Sequence, residues 1–349
     1  MSRKEKHVFF VQSDFHYMIC CSIIKQNRLE LNSCYFVCRR GVKIEDRMQL
    51  YPFPFEGGLK NYLLNRKSVG AFYKDCDVTI YTPFRFLFPR RVYAKDSVFF
   101  EEGLSSYRLK EEVVRKMRHS VIQHLKRVLK YLYCTLVMSV LKKDVRAYVA
   151  GMFDNTEIDP LHTTTIYTCS PNAYADWNSQ LLRKKVLTSF VNTVEHYDVP
   201  PKSFFLVLDR FASSAIYSHD AYMKCVRAML NYCSDNHINE VWTKFHPADW
   251  QNESAKHDLE ECAKGLNIKF KFFEGHLEYL AVQNLGIKFI SIGSTILFYA
   301  PILGNTNSSV SFVRFLYDID DKYKSYIGLY GGIDSFICFF SEQVECLRF

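Results

Sequence analysis

Two adjacent carboxylates, Glu101 and Glu102, follow the apolar, strand-like run SVFF and precede Gly103. Neighbouring carboxylates at the mouth of a strand repel each other and lose water, which raises the pKa of a carboxyl group toward the range that suits a general base. The alternative is a solvated turn in which Gly103 supplies a positive φ. The motif therefore predicts either an acid–base group or an ordinary turn.

A histidine followed by a proline ends a second apolar run, INEVWTKF, and Lys244 adds a fixed charge beside it. In the segment Lys244-Phe245-His246-Pro247, the proline restricts the backbone of His246 to extended conformations. An imidazole in such a setting donates a hydrogen bond to a phosphate or protonates a leaving group. A structural histidine is the alternative.

Small and hydroxyl-bearing residues form a third turn, Ser291 to Thr295, between the run KFIS and the helical pattern TILFYAPIL. The first N–H groups of a helix, together with the hydroxyls of Ser294 and Thr295, suit an anion without the lysine of a Walker loop. An ordinary helix N-cap uses the same residue types. The turn predicts a helix start and a candidate phosphate site.

Short apolar runs alternate with longer helical patterns, and this rhythm predicts parallel sheets flanked by helices. The predicted strands span residues 7–12, 34–38, 77–81, 97–101, 203–208, 238–245, 267–273 and 288–291. The helical patterns span residues 109–146, 218–235, 252–264, 276–285 and 294–303. Pro200 and Pro201 break the chain before the second series.

The predicted fold class is α/β, with two Rossmann-like domains that face each other across a cleft. The first domain covers residues 1–185 and includes a basic helical segment at 108–146, and the second covers residues 186–349. Ligands of such sheets bind beyond the carboxyl ends of the strands, where all three motifs are expected.

Positive charge is concentrated in the first half of the 349-residue chain. Residues 1–150 carry 28 Lys and Arg against 14 Asp and Glu, a net charge of +14, whereas residues 151–349 carry 17 against 23, a net charge of −6. The asymmetry predicts an anionic partner for the first half: nucleic acid, a membrane surface or a phosphorylated substrate. With 48% hydrophobic and 16% aromatic residues, the chain is not of the disordered or collagen-like class.

The twelve cysteines lie mostly within apolar runs, and the sequence contains no Cys-x-x-Cys pair. This pattern predicts reduced thiols in a cytosolic protein rather than a zinc site. Residues 1–21 have the basic start and apolar run of a signal peptide, but polar residues interrupt the run, so a buried first strand is expected instead. No run approaches the roughly 18 apolar residues of a spanning helix.

Taken together, the order FFEEG, KFHP and SIGST resembles the short motifs of bacterial sialyltransferases of the lipooligosaccharide sialyltransferase and capsule polysialyltransferase type. Those motifs are an acidic pair with Gly, a His-Pro, and a Ser-Ser or Ser-Thr. The resemblance covers residues 1–300 in organisation, while identity is confined to the motifs. It implies a two-domain GT-B glycosyltransferase that uses CMP-sialic acid, inverts the anomeric centre and needs no metal or other cofactor.

The resemblance implies that Glu101 is the general base that deprotonates the acceptor hydroxyl, with Glu102 and Gly103 shaping its turn. Many relatives carry at least one Asp in this pair, where this chain has two Glu. A longer side chain at the same backbone position leaves open which of the two carboxylates reaches the acceptor.

The remaining motifs are implied to bind the CMP-sugar donor. His246, in the turn with Pro247, stabilises or protonates the CMP phosphate as it leaves, and Ser294 and Thr295 hold the same phosphate. Lys244 is expected near the cytosine or the phosphate.

The family also places a carboxylate on the ribose hydroxyls, between the His-Pro and Ser-Thr motifs. Glu274 and Glu278 both lie in that interval, and Glu278 is preferred here.

Two further segments invite other interpretations. Asp318-Ile319-Asp320-Asp321 contains a DxD pattern that would bind a divalent ion in other glycosyltransferases, but its polar surroundings predict a solvated loop, and no metal is expected. The basic residues of 108–143 alternate with apolar ones, which predicts either a membrane-surface helix or a core-facing helix with a solvated basic face.

The predicted activity is transfer of sialic acid from CMP-sialic acid to a hydroxyl of a cell-surface glycan, either lipooligosaccharide or capsule. The same fold with another CMP-nonulosonic acid or CMP-Kdo is the enzymatic alternative, and a non-catalytic binder of glycans or anionic polymers is the alternative of another class. If the acceptor is lipid-linked, segment 108–143 is where contact with the inner face of the cytoplasmic membrane or with the anionic acceptor is expected. No nucleic-acid partner is expected, because no such motif is present and the second half is acidic.

Overall fold

The computed structural model describes residues 4–38, 42–50, 67, 71, 76–83, 97–101, 103–107, 129, 164–175, 182–191, 196–209, 216–246, 249, 253–340 and 343–347. The chain divides into two compact units. The first unit comprises residues 1–106 and 110–194, and the second comprises residues 107–109 and 195–349. Apart from Leu129, the predicted basic helical segment 108–146 lies outside the described residues.

The described part of the first unit contains a seven-stranded parallel sheet in the order β3-β2-β1-β4-β5-β6-β7. Its strands are β1 (Lys4–Val11), β2 (Cys34–Cys38), β3 (Gln49–Leu50), β4 (Cys76–Pro83), β5 (Ser97–Phe100), β6 (Thr164–Thr168) and β7 (Leu182–Val186). Phe9 of the central strand β1 stacks on Phe36 of β2 and on Tyr81 of β4, with ring centroids 5.3 and 4.2 Å apart. Strand β1 is buried from His7 to Val11, as is typical of a strand inside a parallel sheet.

Helix α1 (Asp14–Asn27) follows β1 directly and is buried along most of its length, from Phe15 to Ile24. Ser13 caps its start by accepting a hydrogen bond from the N–H of His16 at 3.3 Å. Arg28 ends it in the left-handed region, with φ 53°. The residues that resemble a signal peptide in composition therefore form strand β1, as the sequence predicts, and helix α1, which is absent from the prediction.

The described part of the second unit contains a six-stranded parallel sheet in the order β10-β9-β8-β11-β12-β13. Its strands are β8 (Phe204–Val207), β9 (Glu240–Lys244), β10 (Lys269–Phe272), β11 (Lys288–Ser291), β12 (Ser308–Ser311) and β13 (Val344–Cys346). Its helices are α2 (His219–Asp235), α3 (Glu253–Ala263), α4 (Leu277–Val282), α5 (Thr295–Leu303), α6 (Val313–Ile319), α7 (Asp321–Ile327) and α8 (Ile333–Ile337).

Helix patterning in the second unit follows burial. Helix α2 buries one stripe, which includes Tyr222, Cys225, Met229 and Cys233 at spacings of three and four residues. Helix α5 is instead buried almost all round. The apolar sequence TILFYAPIL accounts for this difference, because it leaves no polar face for solvent.

Counted in chain order, both sheets begin with the strand order 3-2-1-4-5-6, which is the Rossmann arrangement, and the first adds a seventh strand. The prediction of an α/β protein with two Rossmann-like domains is confirmed. Proteins of the GT-B fold consist of two such domains. The predicted strands agree with β1, β2, β4, β5 and β8 to β11 within a few residues. Strands β3, β6, β7, β12 and β13 are absent from the prediction. Among the helices that the structure describes, none combines the length and apolar character needed to cross a bilayer.

Candidate functional site

Glu101 follows β5 directly and is fully buried, with 0% of its surface exposed. Its carboxylate Oε2 accepts a hydrogen bond from the N–H of Cys169, the first residue after β6, at 2.6 Å. Its own N–H donates to the carbonyl of Tyr167 in β6 at 2.9 Å. Glu101 is therefore fixed between the carboxyl ends of two neighbouring strands, where a parallel sheet presents its ligand-binding residues.

The Cys169 thiol is the second group beside this carboxylate. Burial raises the pKa of Cys169 well above its usual value, and the neighbouring charge and hydrogen bond of Glu101 raise it further. The thiol is therefore protonated at neutral pH and donates to the carboxylate. A buried carboxylate is tolerated when such donors replace the lost water.

The turn after Glu101 has the shape that the sequence predicts. Gly103 is buried and has φ 112°, a conformation that residues with a Cβ rarely adopt. A 3-10 turn, Leu104–Tyr107, follows, and Ser106 within it donates its N–H to the carbonyl of Gly103 at 2.9 Å. The Ser106 hydroxyl also lies 2.8 Å from that of Tyr174, in the loop after β6. Glu102 lies outside the described residues.

In the second unit, three of the predicted donor-site residues come together at the carboxyl ends of β9 and β10. The ammonium of Lys244 donates to the carbonyl of Glu274 at 2.9 Å. Burial lowers the pKa of Lys244 from its usual 10.5, while the carboxylates of Glu278 and Glu274 oppose this shift. One partly buried cation thus lies among two carboxylates, both of which the sequence offers for the ribose.

His246 is exposed, two residues beyond the end of β9. Its carbonyl accepts a hydrogen bond from the N–H of Asp249 at 2.8 Å, which closes the turn after the strand. Asp249 is itself fully buried, with 0% of its surface exposed, and Phe245 is buried before it. The turn therefore has fixed, buried residues on either side of an accessible imidazole. Pro247 lies outside the described residues.

Ser294 and Thr295 form the start of α5, immediately after β11, as predicted. Ser294 has the extended backbone of an N-cap residue, but its side chain makes no capping hydrogen bond. The N–H of Leu297 already donates to the carbonyl of Ser294 at 3.0 Å, so the N–H groups suited to an anion here are those of Thr295 and Ile296. Ser291 donates its hydroxyl to the carbonyl of Val207 in β8 at 2.7 Å, which ties this turn to the central strand.

The strand order explains why these groups converge. Because β9 and β10 lie on one side of β8 and β11 lies on the other, the order in which strands are added to the sheet reverses between β8 and β11. Doubly wound folds bind their ligands beyond the strand ends at such a point. The turns with His246, Lys244, Glu274 and Ser294 all leave this one edge of the sheet. Nucleotides bind at such an edge in doubly wound folds.

Asp209, two residues after β8, is a residue at this edge that the sequence analysis missed. Burial raises its pKa to about 6, and no hydrogen bond from the described residues offsets that effect. Its carbonyl accepts a hydrogen bond from the hydroxyl of Tyr222 at 2.9 Å. The signal that could have found it is an acidic residue directly after the apolar run FFLVL.

The DxD segment is not the solvated loop that the sequence predicts. Asp320 is buried, with 4% of its surface exposed, and accepts hydrogen bonds from the N–H groups of Ser218 at 2.7 Å and Tyr323 at 2.8 Å. It therefore caps α7 and holds the segment before α2. Asp321 forms an exposed ion pair with Lys324. In the part of the chain that the structure describes, no group of three or more His, Cys, Asp or Glu residues is arranged to hold a metal ion.

No family model and no curated protein matches the sequence. Solved structures that resemble the chain include the GT-B domain of a sialyltransferase from Photobacterium damselae, at 11% identity, over 99% of this chain and 100% of that one, with a TM-score of 0.47. UDP-N-acetylglucosamine 2-epimerase from Rickettsia bellii matches at 12% identity over 89% of this chain and 79% of that one, with a TM-score of 0.40.

The corresponding epimerase from Methanocaldococcus jannaschii matches at 11% identity over 98% of this chain and 88% of that one, with a TM-score of 0.40. At such identities and TM-scores, these likenesses support no statement about what this chain binds. Its function must be inferred from its own residues.

Proposed function

We propose that the protein is a metal-independent, inverting sialyltransferase that transfers sialic acid from CMP-sialic acid to a hydroxyl of a cell-surface glycan. The observation that carries this proposal is the convergence of Lys244, Glu274 and Glu278 at the same sheet edge as His246 and the start of α5. The motif resemblance supports it, because the sequence offers these same residues for the ribose and phosphate of a CMP donor.

The nucleoside end of the donor is assigned to Lys244, Glu274 and Glu278. Glu278 lies in the first turn of α4, within electrostatic reach of Lys244, and its carboxylate suits the two ribose hydroxyls. Glu274 is the alternative ribose ligand, although its carbonyl already accepts from Lys244. Carboxylates accept hydrogen bonds from neighbouring hydroxyls, which is the contact that a ribose requires.

The phosphate end is assigned to Ser294, Thr295 and His246. The N–H groups and hydroxyls at the start of α5 neutralise a phosphate without a metal, since the helix dipole favours negative charge there. His246 donates a hydrogen bond or a proton to the same phosphate. Charge that develops on CMP as it departs is stabilised by groups that are already in place.

In the proposed reaction, the acceptor oxygen attacks the anomeric carbon of sialic acid and the bond from that carbon to the phosphate oxygen breaks. The acceptor proton passes to Glu101, and CMP leaves with the bonding electrons. The hydrogen bond from Cys169 fixes the Glu101 carboxylate for this step. Domain assignments follow the sequence prediction: residues 1–185 serve the acceptor, and residues 186–349 serve the donor.

The test is release of CMP from CMP-sialic acid in the presence of a panel of surface glycans, with and without EDTA. We expect turnover that survives EDTA and falls by about 10²- to 10⁴-fold in Glu101→Gln and in His246→Gln, the range that general acid–base groups contribute. Matched controls are His257→Gln and Glu261→Gln, which change exposed residues of α3. Full activity in both site variants would contradict the assignment.

Two further arms separate the alternatives. Turnover lost in Glu102→Gln and retained in Glu101→Gln would move the base to Glu102. A screen with CMP-Kdo and other CMP-nonulosonic acids identifies the sugar, because the described residues are assigned to CMP rather than to the sugar ring. Binding of glycan without CMP release from any donor would indicate a non-catalytic binder.

A further inference from the structure

Tyr197 lies in the extended segment that leads into β8, and its backbone is held by one side chain. Its N–H donates to Oε1 of Gln283 at 3.2 Å, and its carbonyl accepts from Nε2 of the same residue at 3.1 Å. Gln283 is the residue that ends α4. This pair of hydrogen bonds attaches the segment before β8 to the carboxyl end of that helix.

The side chain of Tyr197 reaches the other end of α4. Its hydroxyl accepts a hydrogen bond from the N–H of His276, the residue that begins α4, at 2.8 Å. Its ring packs edge-on against Phe273, with centroids 5.0 Å apart. Tyr197 thus contacts the residues before and after the turn that separates β10 from α4.

Gly275 is the centre of that turn, and Tyr197 explains why it is glycine. A Cβ placed on Gly275 would lie 2.4 Å from Cε1 and Cζ of the Tyr197 ring and 2.6 Å from the ring of Phe273. Real Cβ atoms do not approach so closely, so the two rings occupy the space that a side chain would need. The turn and the tyrosine fit only as a pair.

The same turn carries the residues proposed to bind the nucleoside. The carbonyl of Glu274 accepts the Lys244 ammonium at 2.9 Å, and Glu278 follows in the first turn of α4. Glu274 and His276 are exposed, so burial of their own side chains does not fix the turn. Tyr197 and Lys244 both bind the backbone of the turn from other parts of the chain.

We propose that Tyr197 is a positioning residue for donor recognition, which holds the turn Glu274 to His276 so that Lys244 and Glu278 meet the nucleoside of CMP. This inference rests on the proposed function, because it takes CMP as the ligand of the turn. Tyr197 itself does not touch the donor. Its loss changes the affinity for CMP and leaves the chemical step nearly unchanged.

The test compares Tyr197→Phe with wild type by calorimetric titration of CMP and by the kinetics of transfer. The variant keeps the ring and removes the acceptor of the His276 N–H. We expect the Kd for CMP to rise about five- to tenfold, while kcat at saturating donor stays within about twofold. Tyr232→Phe is the matched control, because its hydroxyl contacts Lys288 at the opposite, amino-terminal end of β11.

A double-mutant cycle tests the steric half of the inference. Gly275→Ala alone should weaken CMP binding more than Tyr197→Phe, because the new Cβ forces the ring away. In Tyr197→Ala only the contact with the Phe273 ring remains, so adding Gly275→Ala should cost less than it does in wild type, and the two changes should be less than additive. Thermal unfolding of each variant shows whether fold is retained.

The outcomes are distinguishable. The inference would be overturned if wild type binds CMP and if Tyr197→Phe and Gly275→Ala bind CMP as tightly as the control Tyr232→Phe. The proposed function would be unaffected by that result. The inference would also be overturned if CMP binding weakens only in proportion to a loss of thermal stability, and if Tyr232→Phe shows the same loss of both. Wild type that does not bind CMP would overturn the proposed donor and this inference with it.

Discussion

Each of the two units has an acidic residue just beyond the end of a strand. The two carboxyl groups differ in the hydrogen-bond donors that surround them. Glu101, after β5, is fully buried, yet it accepts the Cys169 N–H and a hydrogen bond from the Cys169 thiol. Asp209, after β8, is partly buried, and burial raises its pKa to about 6 because no donor among the described residues compensates for lost water. The two strand-end carboxyl groups therefore differ in the hydrogen-bond donors that accompany their burial.

Asp320 extends this comparison within the second unit. Burial alone would raise its pKa, but the hydroxyl and N–H of Ser218 and the N–H groups of Tyr323 and Lys322 lower it. Asp209 and Asp320 therefore have pKa values shifted in opposite directions, although both are aspartates removed from bulk water. Asp320 stabilises the fold through its charge, whereas Asp209 destabilises it at neutral pH, which is typical of residues kept for function.

The largest effect on stability is expected from Asp320→Ala, which leaves the donors of Ser218 and Tyr323 without their acceptor. We expect a loss of about 4 kcal/mol in the free energy of unfolding at pH 7, since hydrogen bonds to charged groups contribute roughly 1.5 to 3 kcal/mol each. The pKa of Asp320 is lowered on folding, so this contribution is present above about pH 4 and disappears as the pH falls through the folded pKa.

Urea unfolding at pH 7 and at pH 3 measures the effect, and Asp321→Ala is the control because that neighbour is exposed. A loss that is equal for both variants would mean that the buried hydrogen bonds of Asp320 contribute nothing special.

A smaller effect of opposite sign is expected from Asp209→Asn. The folded chain binds the Asp209 proton more tightly than the unfolded chain, so wild-type stability falls as the pH rises from about 4 through about 6. The variant removes this penalty and should be more stable than wild type by about 2 to 3 kcal/mol at pH 8, at about 1.4 kcal/mol per unit of pKa shift. The difference should vanish below about pH 4.

Unfolding measured in urea across pH 4 to 8 checks this, with Asp235→Asn, at the exposed end of α2, as control. A stability difference that does not change with pH would show that Asp209 is not strained by burial.

The smallest effect is expected at Cys169, where only one of two donors to Glu101 resides in the side chain. Cys169→Ala keeps the backbone N–H and should lower the free energy of unfolding by about 1 kcal/mol, as loss of a small buried group does. Turnover should fall about fivefold, because the carboxylate loses one hydrogen bond and is less well fixed. Cys169→Ser, which keeps a donor, should restore most of it.

Cys20→Ala removes another fully buried thiol of the first unit and should change stability alone. If turnover falls only in proportion to stability in both alanine variants, the role of Glu101 is structural, and it only links β5 to β6.

Several parts of the site could be predicted because chemistry and strand ends coincide in the sequence. Lys244 ends β9 and Glu274 follows the end of the adjacent parallel strand β10, so a prediction of the strands already brings them near each other. Ser294 and Thr295 follow an apolar strand and precede an apolar helix, which fixes them at a helix start. Gly103 has the positive φ that the acidic turn suggests.

Other parts lack a local signal. Strand β12 has the sequence SSVS, whose buried serine hydroxyls give no apolar pattern, and Asn307 before it is fully buried because its amide binds the carbonyls of Ala281 and Ala300. The polar sequence around Asp320 predicts a solvated residue. Its burial becomes evident only from its hydrogen bonds to Ser218, which is about a hundred positions away in the chain.

The sequence by itself determined most of the strands and the Rossmann-like alternation, and it offered the candidate reactive groups, because these depend on local periodicity and residue type. The tertiary structure decided the burial and the hydrogen-bond partners of each charged group. The donors on Glu101, the shifted pKa of Asp209 and the contacts of Tyr197 with Gly275 and Gln283 come from residues distant in sequence. Hydrogen bonds and desolvation act over a few ångströms in space, so no pattern along the chain could have disclosed them.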